Sequence, residues 1–77
     1  MNVMKELDTV ALTEDLPEHG LARGDVGTVV LIHRGRAGYE VEFMTLAGDT
    51  VAVVTVKPGQ IRPIARREIA HARPLAL

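Results

Sequence analysis

The stretch GLARGDVGTVVLIH, Gly20–His33, decides the fold. Its Gly-Asp pair stands before Gly-Thr and a run of four aliphatic residues. A phosphate-binding loop would need a Lys-Ser/Thr pair with a helix opening behind it, so that helical N–H groups face the anion. Here there is no Lys, and the residues that follow are β-branched, the composition of a strand. Gly24 and Gly27 let the backbone bend sharply into that strand, and the Asp25 carboxylate can accept nearby backbone N–H groups. The stretch therefore reads as a turn entering the second strand of a small sheet.

Further strand signals flank it at short intervals. DTVAL, Asp8–Leu12, is a first strand, and Thr13–Asp25 is a long polar loop whose Leu16 and Leu21 fold back onto the core. The second strand is Gly27–His33, followed by a turn at Arg34–Gly38. YEVEF, Tyr39–Phe43, puts Tyr39, Val41 and Phe43 on one face and Glu40 and Glu42 on the other, the pattern of a half-buried antiparallel strand. A hairpin turn at Thr45–Asp49 leads to a fourth strand, Thr50–Val56. Lys57–Gln60 suits a tight turn of 3₁₀ type, and Ile61–Ile64 a short last strand, where Pro63 requires an edge or a strand end. Five short strands, a long first loop and a one-turn helix before the last strand predict an all-β fold, a small SH3-like barrel over residues 1–64. An OB barrel needs longer strands and a helix between the third and fourth. Residues 65–77 form a tail, read as a short helix or as frayed chain, with Pro74 ending any helix.

At 77 residues the chain is one domain with a thin core. It has no Cys, which excludes disulfides, zinc-thiolate sites and thiol chemistry and suits a reducing, cytoplasmic setting. It has no Ser either, so the usual nucleophile–base triads are excluded and no catalytic residue is assigned. His19, His33 and His71 are too dispersed for a local metal site; no metal and no cofactor are expected. The apolar runs are too short to cross a bilayer, and MNVMKELDTV lacks the apolar core of a signal peptide. Met4 is an alternative start, which would make Met1–Val3 a lead.

Nine bases against ten acids give no global attraction to a polyanion. The charge is unevenly spread: residues 1–25 hold Lys5 and Arg23 against six acids, and residues 65–77 hold Arg66, Arg67 and Arg73 against Glu68. The first loop's Glu14, Asp15 and Glu18 and the turn arginines Arg34 and Arg36 are the candidate partner-binding residues. In Thr50–Val56 both faces are apolar, so the outer one calls for cover by the first loop, by the C-terminal segment or by a partner, including a second copy joined through that segment.

Two resemblances bear on this pattern. RGDVGTVVLIHRG, Arg23–Gly35, resembles the KOW motif of ribosomal proteins and transcription elongation factors, a loop–strand–loop unit that implies RNA binding. Tyr39 and Phe43, the two aromatics, face inward and leave no platform for base stacking. Glu6–Val30 with Tyr39–Val56 resembles a family of small bacterial proteins known as a domain of unknown function, with the pattern LDxVxL, PExGL, GDxGTVV and YEVEF. That resemblance implies an SH3-like barrel and supplies no ligand residues. The functional expectation is a non-catalytic protein-binding module or accessory subunit with an unidentified protein partner. One form it could take is half of a two-gene pair of antitoxin or immunity type. The alternative is a KOW-like nucleic-acid-binding module.

Overall fold

A computed structural model describes residues 4–75; Met1–Val3, the expected lead, lie outside the described residues, as do the last two of the tail. Five strands, β1 (Thr9–Leu12), β2 (Val26–Ile32), β3 (Tyr39–Met44), β4 (Thr50–Val56) and β5 (Ile61–Pro63), form one antiparallel sheet in the order β4-β3-β2-β1-β5. Single 3₁₀ turns lie at Pro17–His19, Arg34–Arg36 and Pro58–Gln60.

The sheet is open, which corrects both the expected SH3-like barrel and the barrel implied by the family resemblance. β4 and β5 are its two edges and share no ladder. β5 has only three residues, pairs with β1, and ends on Pro63, whose nitrogen carries no hydrogen for a second ladder. Alternation along a strand reports which face is buried. It does not report whether the last strand reaches the far edge. The tail forms no helix over residues 65–75; beyond a turn at Arg66–Arg67 it has no regular structure, and Ile69 is 96% exposed.

One face of the sheet carries the core: Val10 and Leu12 of β1, Val29 of β2, Tyr39, Val41 and Phe43 of β3, Val54 and Val56 of β4, and Ile61 of β5. Leu16 and Leu21 join it from the first loop, where each donates its backbone N–H to the other's carbonyl and so closes the loop as expected. No polar or charged side chain is buried among the described residues. In β2 the alternation breaks at a bulge: Val29 pairs with Val41 and Leu31 with Glu40, leaving Val30 as the extra residue. Val29 is therefore buried before the bulge, Ile32 packs on the core after it, and Leu31 turns outward.

Gly24, before β2, and Gly27, within it, act differently. Gly24 has φ +91°, a left-handed bend with open space around it. Gly27 has ordinary strand geometry, but a Cβ there would come within 2.6 Å of Val41 Cγ1 and 2.9 Å of both the Glu42 carbonyl oxygen and Phe43 Cε1. Close approach, not bending, requires that glycine. Gly27→Ala is expected to lower the unfolding free energy by about 1–3 kcal/mol, the usual cost of overpacking a filled core. Gly24→Asn is expected to leave it nearly unchanged, because Asn tolerates the left-handed region. Urea titration of both variants checks this contrast.

Candidate functional site

The first loop is stapled from within. Asp15 Oδ1 accepts the Arg23 backbone N–H at 2.8 Å, and Glu14 Oε2 accepts from Gln60 Nε2 at 3.1 Å. Thr13 Oγ1 donates to the Gly59 carbonyl at 2.7 Å, tying the start of the loop to the 3₁₀ turn before β5. Of the three acids expected to meet a partner, Glu14 and Asp15 already have intramolecular donors. Glu18, exposed in the Pro17–His19 turn, has none among the described residues.

The β2–β3 turn holds the expected arginines. Gly35 and Arg36 both have positive φ, +67° and +59°. The second is a costly conformation for a non-glycine residue, and it directs the Arg36 guanidinium to the Met4 carbonyl, Nη1 to oxygen 2.6 Å. That bond brings the chain around Lys5 beside the turn. Lys5, Arg34 and Arg36 therefore share one end of the sheet, and none has a carboxylate within ion-pair distance among the described residues. Lys5 was not legible as part of this group, since it lies 31 residues from Arg36 and no local motif links them.

On the outer face of the sheet, Glu40 Oε2 accepts from Thr55 Oγ1 at 2.6 Å and lies 2.6 Å from His33 Nε2, while Glu42 Oε2 accepts from Thr50 Oγ1 at 2.7 Å. The Thr55 hydroxyl, then His33, hold the Glu40 carboxyl below the usual range. The two glutamates are thus engaged across the β3–β4 ladder. Around them Val30, Leu31 and Val53 stay exposed.

The tail folds back over the other end of this face. Arg62 grips Glu68 with two nitrogens at 2.7 and 2.8 Å, and Arg73 grips Asp25 from Nε and Nη2 at 2.8 and 2.5 Å. Between tail and sheet lies an apolar cavity of about 800 Å³, lined by Ala11, Val26, Met44, Val51, Ile64 and Leu75 among others. The Arg62 guanidinium and the Ala65 N–H hold the Glu68 carboxyl down to about 2, and the Arg73 guanidinium lowers that of Asp25. Asp25 also accepts the Ala22 N–H at 2.9 Å, the turn role its position before β2 predicts. Its partner 48 residues away was not predicted. The segment expected to join copies of the chain makes these polar contacts within its own chain.

Among the described residues there is no group of three or more His, Asp or Glu able to hold a metal ion. No helix there is long and apolar enough to cross a membrane.

A family model described as "Domain of unknown function (DUF4926)" matches residues 6–63. The chain is 37% identical over 71 residues to the large ribosomal subunit protein bL25 of Pseudomonas fluorescens (strain Pf0-1), in an alignment that takes in 87% of this chain. The chain spans only about a third, 36%, of that relative's length. No solved structure matches. The relative is named for its place in a ribosomal subunit rather than for a reaction.

The tail's anchorage depends on two carboxylates whose acidities are raised by folding. Their contribution is complete above the ordinary carboxylate range and is lost as pH falls from 4.5 toward about 2 through the Glu68 value. Backbone ¹⁵N relaxation is expected to show residues 66–75 ordered at neutral pH and mobile near pH 2, with Arg73→Ala freeing the part beyond Glu68 at neutral pH. A tail as rigid at pH 2 as at pH 7 would contradict the ion-pair account.

Proposed function

The chain belongs to the DUF4926 family, and we propose that it is a non-catalytic binding module that docks on RNA phosphates through Lys5, Arg34 and Arg36. The observation that carries this reading is the β2–β3 turn, where the Arg36–Met4 bond ties the chain next to Lys5 to Arg34 and Arg36, and none of the three side chains has an ion-pair partner among the described residues, the Asp8 carboxylate being taken up by the Lys5 backbone N–H. A ribosomal subunit is an assembly of RNA and protein, so similarity to one of its proteins supports the same class of partner. The local likeness of Arg23–Gly35 to the KOW motif agrees with it. Glu40 and Glu42 accept hydrogen bonds from Thr55 and Thr50 that leave their negative charge in place, so a phosphate has to approach from the turn and not along the outer face of β3.

Tyr39 and Phe43 are buried, so bases have no aromatic surface to stack on. Binding through phosphates alone positions a partner without reading its sequence. The affinity is therefore modest, tolerant of sequence and sensitive to salt. The competing reading is a protein partner, such as the product of a paired gene, and the exposed Val30, Leu31 and Val53 favour it.

Fluorescence anisotropy with a short single-stranded RNA of mixed sequence separates the two. Three phosphate contacts are expected to give a slope of log K against log salt of roughly −2. Arg34→Ala should reduce that slope by about 0.7. Binding that ignores salt, or that Arg34→Glu leaves unchanged, would sink the RNA reading and return the protein partner to first place.

A further inference from the structure

The two edges of the open sheet are unequally protected. Edge strands expose unpaired N–H and C=O groups, and proteins that remain monomeric blunt them with short length, proline, charge or cover. β5 has such defences: three residues, Arg62 in its middle, Pro63 at its end, and the tail anchored beside it by the Arg62–Glu68 pair. β4 has almost none. It runs seven residues, TVAVVTV, with no charge and no proline, and five of the seven are apolar. Its ladder to β3 occupies one side. No other backbone hydrogen bond involves Thr50–Val56 among the described residues. Val53 at its centre is 55% exposed.

We infer that β4 is the docking edge for a second copy of this chain, paired antiparallel about a two-fold axis at Val53. The charges flanking the strand select both the partner and the register. Asp49 and Lys57 lie four residues on either side of Val53. A two-fold at that residue sets Asp49 opposite the partner's Lys57, and Lys57 opposite the partner's Asp49. The same register sets Val53 against the partner's Val53, and Ala52 against the partner's Val54. Every facing pair is then apolar, hydroxyl-to-apolar or oppositely charged. Shifting the axis to Ala52 or Val54 breaks both charge pairs. The bulge between Phe43 and Met44 leaves Val51 as the extra residue of β4, so the regular run is Ala52–Val56. The facing pairs within the regular run are then Val53–Val53 and Ala52–Val54, and the Asp49–Lys57 pairs beyond it rest on the reach of the long Lys57 side chain. The product is one continuous ten-stranded sheet, joined by main-chain hydrogen bonds that any strand could make and by an end-charge pattern that this strand finds in its own copy.

Sedimentation velocity over micromolar to millimolar protein tests this. The wild-type chain is expected to form a reversible dimer. Asp49→Lys and Lys57→Asp should each weaken it roughly tenfold, because each turns two attractive pairs into two repulsive ones. The double variant, which restores opposite charges, should recover the wild-type dissociation constant. Val53→Lys should abolish the dimer by placing like charges face to face. All three positions are exposed, so urea midpoints near wild type verify that the fold is kept. A chain monomeric at millimolar concentration overturns the inference. So does a dimer that Val53→Lys leaves intact, or a double variant as weak as the singles.

Discussion

A single row of side chains crosses all five strands, and the packing of the sheet depends on it. Pro63, Val10, Gly27, Phe43 and Ala52 are ladder partners in sequence across β5, β1, β2, β3 and β4. Phe43 is the bulkiest of the fully buried side chains. Its neighbours on the same face are the two smallest residues of the row, Gly27 and Ala52. The ring fills the room they leave, with Val41 beside it, and the strands close up around it. In a chain with two aromatic residues, one well-seated ring has to supply much of the apolar contact that a larger domain spreads over several.

The polar architecture follows a complementary rule. With no polar side chain buried among the described residues, charges organise the surface. The acidic N-terminal part and the basic tail meet through Asp25 and Arg73, and Arg62 and Glu68 hold the intervening bend. These exposed pairs each contribute little stability, and their effect is positional. They draw the tail over one end of the outer face and consume two of the cations that composition alone would offer to a polyanion. Of the other seven, Arg34 and Arg36 stand in the β2–β3 turn, with Lys5 next to the Met4 carbonyl that Arg36 holds.

Much of the local structure was legible in the residues. The alternation in Tyr39–Phe43, the turn at Gly48, the 3₁₀ turn at Pro58–Gln60 and the inward folding of Leu16 and Leu21 all follow from periodicity and turn chemistry, which act over a few residues. What was not legible depends on distance. Whether β5 closes onto β4 is set by the reach of three residues ending in proline, and no hydrophobic pattern encodes that. The bulge at Val30 hid within a uniform apolar run. Arg34 and Arg36 stand out by residue type, but the approach of the chain at Lys5 to their turn depends on one guanidinium–carbonyl bond. Glu14 and Asp15 also stand out by residue type, and only the folded loop shows that their oxygens already have donors.

The strand order also separates short chain closures from a long one. β2, β3 and β4 are a meander in which each strand pairs with the next across a short turn. β1 lies between β2 and β5, and its residue Leu12 faces Ile61 across 49 positions of chain. The meander closes short loops at small entropic cost, whereas the β1–β5 ladder closes a long one. Without β5 the sheet would have two unprotected borders, β1 and β4, and the three-residue strand ending in Pro63 blunts one of them.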